Sequence, residues 1–308
     1  MSFFLLKVRV QRDFLVSSKI LSMASPVFTK LFSPNFSEGM QMEFSSCPIL
    51  SLHEDDTAAM RTITRILHYQ EPTPASPITA ETFATLAYHC NKYDCTRAIW
   101  PWTFKWFNDF QSITTAEEYG YLLLAAHFFR SVEHFLQLSP NFSAQWETVQ
   151  TIDLLPEPVQ SILMDRIETL LNQIHVELQA VEHLLRSNQT CYATGGLVCT
   201  NCGRTPPSGA RQCRPCKNTD LITKYCNSDS RIADYFAALT TARLWSSVEP
   251  FPSCSAAEIA SRISQAKEFL RHSCQASAGP LKPELNMLVM RVTGIKHNTK
   301  GLDLYSLY

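Results

Sequence analysis

The sequence predicts an α+β N-terminal domain, a small sheet flanked by helices, followed by a mainly α-helical C-terminal region with a Cys-rich insert of zinc-ligand spacing. Three observations carry this expectation. Phe4, Leu6, Val8 and Val10 alternate with Leu5, Lys7 and Arg9, the period of two that marks a strand. From Asp55 onward most apolar residues recur at helical spacing. Between residues 188 and 227 the composition turns abruptly to Cys, Gly, Thr, Pro and Arg.

The elements follow in order. Residues 3 to 16 read as one or two strands, with a turn at Gln11-Arg12-Asp13 and Phe14-Leu15-Val16 as the second strand. Ser17 and Ser18 are good N-cap types for a short helix. Pro26 suits the first turn of the next helix, where its missing N–H would have no partner anyway. Pro48 to Leu52 reads as a strand, and Asp55-Asp56 favours the start of a helix with Ala59, Met60, Ile63, Ile66 and Leu67 on one face. Glu71 to Pro77 holds three prolines and reads as a loop. Helices are expected from Thr79 and from about Thr96 to Phe110, the latter with Trp100, Trp102, Phe104, Trp106 and Phe107 in the core.

Thr114-Thr115-Ala116-Glu117-Glu118 is a capping-box pattern that opens a further helix. Pro140, Pro156 and Pro158 make residues 139 to 158 read as loop. From Val159 to Arg186, Leu163, Ile167, Leu170, Ile174, Leu178, Val181 and Leu185 step by threes and fours. Such a seam fits either an intermolecular coiled coil or one arm of a hairpin packed on its own chain. Helices are expected from about Arg231 to Trp245 and from Ala256 to Cys274, and the tail from Leu281 has no assigned structure. The domain division is 1–110, 111–187, 188–227 and 228–308.

Composition bounds function. The net charge of −1 supplies no chain-wide field for nucleic acid or an acidic membrane. Met1 to Leu6 is apolar but ends at Lys7, too short for a signal-peptide core, so the expectation is an intracellular protein of nucleus or cytoplasm, not secreted. No run approaches the ~20 apolar residues of a membrane span. Eleven cysteines without a secretion signal favour free thiols and a metal site over disulfides. No Gly-rich phosphate loop, Gly-x-Ser-x-Gly or His-Glu-x-x-His is present, and the chain is expected not to be an enzyme.

Cys199-Thr200-Asn201-Cys202-Gly203 and Cys213-Arg214-Pro215-Cys216 are two Cys-x-x-Cys pairs separated by ten residues. Each pair can form a tight knuckle that points two thiolates at one ion, and four such ligands suit a structural zinc site. Cys191 and Cys226 flank the module as further ligand candidates. The loop between the pairs is too polar for its own core, so metal would supply folding energy. Arg204, Arg211, Arg214, Lys217 and Lys224, against Asp220 alone, make a zinc-dependent nucleic-acid binder an alternative function, though nucleic acid is not the expected partner.

Residues about 12 to 110 resemble the BTB/POZ domain in its fungal form. The matching pieces are Phe14-Leu15-Val16-Ser17-Ser18, Ala24-Ser25-Pro26-Val27-Phe28, Phe36-Ser37-Glu38-Gly39, Leu52-His53-Glu54-Asp55-Asp56, Ile66-Leu67-His68, Ala87 to Cys95, Pro101-Trp102 and Trp106. The resemblance implies a non-enzymatic protein–protein interaction module. Many such domains form homodimers, and some are substrate adaptors that bind a cullin scaffold of a ubiquitin ligase. Those carry a hydrophobic-x-Glu motif, which Phe36-Ser37-Glu38 matches, so Phe36 and Glu38 are the expected partner-binding residues. Two departures stand out. Ser17-Ser18 replaces the common His-Arg or His-Lys, and the chain starts almost at the first strand, without the arm that builds the swapped dimer of many relatives. A monomer or a different dimer interface is the expectation that follows.

Overall fold

A computed structural model describes residues 3–8, 12–45, 47–52, 54–71, 78–110, 113, 115–145, 155–245, 254–269 and 279–304. The proline loop over 72–77, together with His53, Thr114, Leu270 and Cys274, falls outside the described residues. The chain divides into two compact units. The first comprises residues 1–142, 148–163 and 300–308, and the second residues 143–147 and 164–299.

The first unit begins with strands β1 (Phe3–Val8) and β2 (Arg12–Ser17), an antiparallel pair in which Phe3 faces Ser17 and Val8 faces Arg12. Strand β3 (Ile49–Leu52) lies parallel to β1, giving the order β2-β1-β3. Helix α1 (Ser18–Ala24) follows β2 without a loop, and α2 (Pro26–Leu31) follows α1. Ser25 links them: its Oγ accepts the Phe28 N–H at 3.0 Å and donates to the Tyr93 carbonyl at 2.5 Å. Phe28 is fully buried and stacks on Tyr93 at 4.7 Å. The Ser-Pro-Val-Phe segment thus both starts a helix and ties the N-terminal half to a later one.

Helix α3 (Ser37–Phe44) packs so tightly on the preceding turn that a Cβ at Gly39 would lie 1.9 Å from the Ser33 carbonyl oxygen. Helix α4 (Thr57–Leu67) is capped by Asp56 and buries Met60 and Ile63 completely. Helices α5 (Ala80–Lys92), α6 (Thr96–Asp109) and α7 (Ala116–Phe128) complete this part. Phe83 of α5 is the hub, with the rings of Trp106, Phe107, Phe110 and Phe129 between 4.8 and 5.8 Å away. The aromatic run of α6 is only partly core: Trp106 and Phe107 are buried, whereas Trp100 and Phe104 are 51% and 57% exposed. The capping box at the start of α7 is present, with Thr115 and Glu118 bonded reciprocally.

A buried ionic cluster joins the β3–α4 connection to α5. Asp55, 1% exposed, accepts from Lys92 Nζ at 2.6 Å and from the Tyr93 hydroxyl. Burial, and then the Asp55 carboxylate, push the Tyr93 phenol well above its ordinary range, so it stays a donor. Breaking a fully buried pair costs about 3–5 kcal/mol, less where one partner is wetted, and the Lys92 side chain is 36% exposed. Asp55→Ala is therefore expected to destabilise the first unit by about 2–3 kcal/mol, with Asp55→Asn intermediate because it still accepts from Tyr93. Urea unfolding of the intact chain measures both; wild-type stability for Asp55→Ala would mean the cluster contributes nothing.

Two histidines serve as backbone acceptors. His68 Nε2 accepts the Ser17 N–H at 2.9 Å and His89 Nε2 accepts the Asp56 N–H at 3.0 Å. Each places Nδ1 against the carbonyl four residues back, Thr64 or Thr85. That fixes the Nδ1–H tautomer and makes both rings structural.

Residues 139 to 158 are not wholly loop, contrary to the sequence expectation. Helix α8 (Val132–Gln145) runs through Pro140. Pro140 has no N–H to donate to Leu136, and that carbonyl instead accepts from Ser139 Oγ at 3.4 Å. The C-terminal stretch returns to this spot. A Cβ at Gly301 would lie 1.9 Å from the same carbonyl oxygen, and the Leu302 N–H donates to Ser139 Oγ at 2.7 Å.

Helix α9 (Glu157–Ser187) carries the long apolar seam. In the second unit Ile167, Ile174, Leu178, Val181 and Leu185 are buried in one cluster with residues of α10 (Ser228–Thr241), α11 (Ala256–Ala266) and α12 (Leu281–His297). Of the two readings of the seam, packing on its own chain is the one observed. Tyr235 of α10 donates to the Leu178 carbonyl at 2.9 Å, and Arg291 of α12 pairs with Glu177 at 2.7 Å. Helix α11 ends earlier than expected, at Ala266, and continues as a 3-10 turn over Lys267–Phe269. Helix α12 has no counterpart in the sequence reading; its buried stripe is Leu281, Leu285, Leu288 and Val292. Among the described residues no helix is long and apolar enough to cross a membrane.

Candidate metal centre

The Cys module is a two-stranded hairpin with two knuckles at its tip. Strand β4 (Tyr192–Cys199) pairs antiparallel with β5 (Leu221–Cys226), so that Cys199 faces Leu221 at one end and Tyr192 faces Cys226 at the other. The chain between the strands carries Cys202, Cys213 and Cys216 back to the Cys199 end.

The two knuckles repeat one backbone design. In the first, the Gly203 N–H donates to the Cys199 carbonyl at 2.9 Å and the Cys199 N–H to the Arg204 carbonyl at 3.0 Å. In the second, the Lys217 N–H donates to the Cys213 carbonyl at 2.7 Å and the Cys213 N–H to the Asn218 carbonyl at 2.8 Å. The residue after each second cysteine takes a left-handed conformation, φ 68° at Gly203 and φ 56° at Lys217. Glycine adopts it freely; lysine does so at a cost, which marks the second knuckle as imposed by its surroundings.

All four sulfurs lie within 4.8 Å of one another. Cys199 and Cys216 approach to 3.4 Å, Cys202 and Cys213 to 3.4 Å, and Cys202 and Cys216 to 3.5 Å. A tetrahedral ion with metal–sulfur bonds of about 2.3 Å needs sulfurs about 3.8 Å apart, so shifts of no more than about an ångström admit one. The donor set fits a structural metal site. Cys191 and Cys226 are not part of it: they stand at the base of the hairpin, the opposite end from Cys199. The Cys226 thiol points to the Asn227 carbonyl at 3.9 Å.

The four thiols are not equivalent. Burial acts to raise Cys199, but N–H groups of Cys202 and Asn201, with Cys216 and Asn218, outweigh it and bring the thiol down to about 6. Asn218 Nδ2 reaches Cys199 Sγ at 3.5 Å and Thr200 Oγ1 at 3.0 Å, holding the first knuckle against the second. Burial, then the neighbouring Cys202 and Cys216 thiols, push Cys213 up to about 12. Metal binding needs the thiolate forms and displaces protons, so affinity falls as pH falls. Four thiolates about a divalent ion would carry a net charge of about −2. Arg204, Arg211, Arg214 and Lys217, all exposed around the tip, offset it. Sequence reading missed Asn218 and the Thr200–Asp220 clamp, in which the Thr200 N–H donates to the Asp220 carbonyl at 3.2 Å. Lys217 had one available signal, its place after the second pair where Gly203 follows the first.

The base of the hairpin is held by Arg231, which is completely buried. Its Nη1 donates to the Thr190 carbonyl at 2.9 Å and the Cys226 carbonyl at 3.2 Å, and its Nη2 to the Asn188 carbonyl. The guanidinium also lies 5.4 Å from the Tyr192 ring centroid. One side chain of α10 therefore grips the entry to β4, the exit of β5 and the carbonyls just past the end of α9, where the helix dipole favours a cation.

The expected partner-binding residues lie in the first unit. Phe36 is the N-cap residue of α3 and 45% exposed; Glu38, in the first turn, accepts from Ser37 Oγ at 2.8 Å. They are neighbours on one short helix, with Met40, 49% exposed, one turn from Phe36. Compared with family models, curated proteins and solved structures, the chain matches none.

Proposed function

We propose that the chain is a non-enzymatic protein–protein interaction protein, with a BTB-like N-terminal module and a Cys module cross-linked by one structural zinc ion. The observation that carries the interaction reading is the apolar pair Phe36 and Met40, both nearly half exposed on α3. An exposed aromatic beside a second large apolar residue is the kind of anchor on which interfaces concentrate their energy. The sheet order β2-β1-β3 with helices following it supports the BTB-like module. Zinc is the metal best suited to four thiolates in two knuckles, with no open position for substrate. Self-association needs about 800 Å² per partner.

A second reading, a cullin-type ubiquitin-ligase adaptor, is favoured by Phe36 and Glu38 lying side by side at the exposed start of α3. Affinity purification of the intact chain with mass spectrometry, and light scattering, test both. Phe36→Ala is expected to cut recovery of a bound partner at least about tenfold. If that partner is a cullin, Glu38→Ala reduces it too. A strict monomer that retains no partner overturns the interaction reading, and partners without a cullin overturn the adaptor reading.

A further inference from the structure

The first unit carries a cleft of about 490 Å³ that no sequence motif announces. Its apolar floor comes from Ile20 of α1 and from Ile66 and Leu67 at the end of α4, with the start of α6 closing one side. Among the described residues Lys19 is the charged side chain in its lining, and Tyr69 completes it. Met23 and Tyr69 are 79% and 94% exposed, so large apolar groups stand in water at its rim.

Two residues here break local rules. Tyr69 sits just past α4 with φ 58°, where its N–H donates to the Ile66 carbonyl at 2.9 Å and the Gln70 N–H to the Arg65 carbonyl at 2.8 Å. That is the left-handed position of a helix-ending motif, and glycine is its usual occupant. A tyrosine there is strained, and its exposed ring returns little packing. Lys19 lies in the first turn of α1, a turn without any acidic residue. The dipole disfavours a cation at that end. Local choices that contradict the fold, both at one apolar cleft, are expected where function outweighs stability.

We propose that this cleft docks a peptide segment of a partner protein, an apolar anchor side chain flanked by an acidic residue that pairs with Lys19. Charge complementarity selects the occupant: among the described residues the lining offers a lysine and no carboxylate. The volume lies within the range of about 300–1,000 Å³ usual for ligand clefts. The proposal rests on the interaction reading above and names the chemistry of one partner.

The test pans a random dodecapeptide display library on the intact chain and measures a selected peptide by fluorescence polarisation. Enriched peptides are expected to place a large apolar residue within about four positions of Asp or Glu. Lys19→Glu should weaken binding at least about tenfold and favour basic flanks instead. Tyr69→Gly should weaken it about threefold or more, while both variants raise the thermal midpoint by roughly 1–4 °C. Loss of binding with gain of stability separates a docking role from a structural one. No enrichment over a Met23→Asp control, no acidic bias, or binding unmoved by both variants overturns the proposal. So does a lowered midpoint that accompanies weaker binding. If panning fails but partner recovery persists and responds to Phe36→Ala, the cleft alone is excluded and the interaction reading stands.

Discussion

Cys199→Ser is expected to abolish stoichiometric metal binding and to unfold the β4–β5 hairpin. Structural zinc contributes roughly 10–16 kcal/mol in isolated zinc-finger peptides, and this module has little else to hold its tip. Between the knuckles lies Gly, Pro, Ser and Arg sequence, and buried there are chiefly Cys199, Cys213 and Pro206. Serine removes a fully buried sulfur that accepts from Asn218, so the centre loses one of its four ligands. Elemental analysis should read about one zinc per wild-type chain and none for the variant. Hydrogen exchange should accelerate over residues 192–226 and spare α5 and α7. Cys191→Ser is the control and should leave both readings unchanged, because that residue stands at the far end of the hairpin. Substoichiometric zinc in the wild type, with a fold indifferent to chelator, overturns the assignment.

Arg231→Met is expected to have the second largest effect. The variant keeps most of the volume but removes donors from the carbonyls of Asn188, Thr190 and Cys226. The Cys226 bond is buried and the other two are part-buried; an orphaned buried acceptor costs about 1–3 kcal/mol and a wetted one less, so the expected loss is about 2–4 kcal/mol. Arg231→Lys should lose less, because an ammonium serves fewer of the three acceptors. The position also couples to the metal. With its base loosened the hairpin samples open states more often, so a chelator should strip zinc faster from Arg231→Met than from wild type. Equal stability and equal stripping rates would show that the buried guanidinium does not hold the hairpin.

What the sequence made legible was local. The capping box at Thr115 and Glu118, the helix start at Ser25-Pro26 and the two Cys-x-x-Cys knuckles each depend on residues a few positions apart, and each is where the pattern placed it. The seam of α9 was legible as periodicity, but whether it met another chain or its own depended on α10 to α12. What remained illegible depends on distant partners. Pro140 sits inside a helix because Ser139 and the chain around residue 301 occupy the groups it frees. Helix α12 hid behind Pro280 and Pro283, although its stripe has ordinary helical spacing. Asn218 and Arg231 look like any polar residues until the fold brings sulfur or carbonyl oxygen to them. The exposed Trp100 and Phe104 show the converse: apolar composition at helical spacing does not by itself decide which aromatics are covered.

The contact of Gly301 and Leu302 with Leu136 and Ser139 bears on the order in which the molecule can be made. The first unit opens the chain and is finished by its last stretch, and the second unit is threaded between as an insertion. During synthesis the ribosome releases some 300 residues before the Leu136 carbonyl meets Gly301. The second unit, with its four-cysteine hairpin, is by then complete. No fragment that stops short of residue 300 contains all of the first unit, even one cut cleanly after α6.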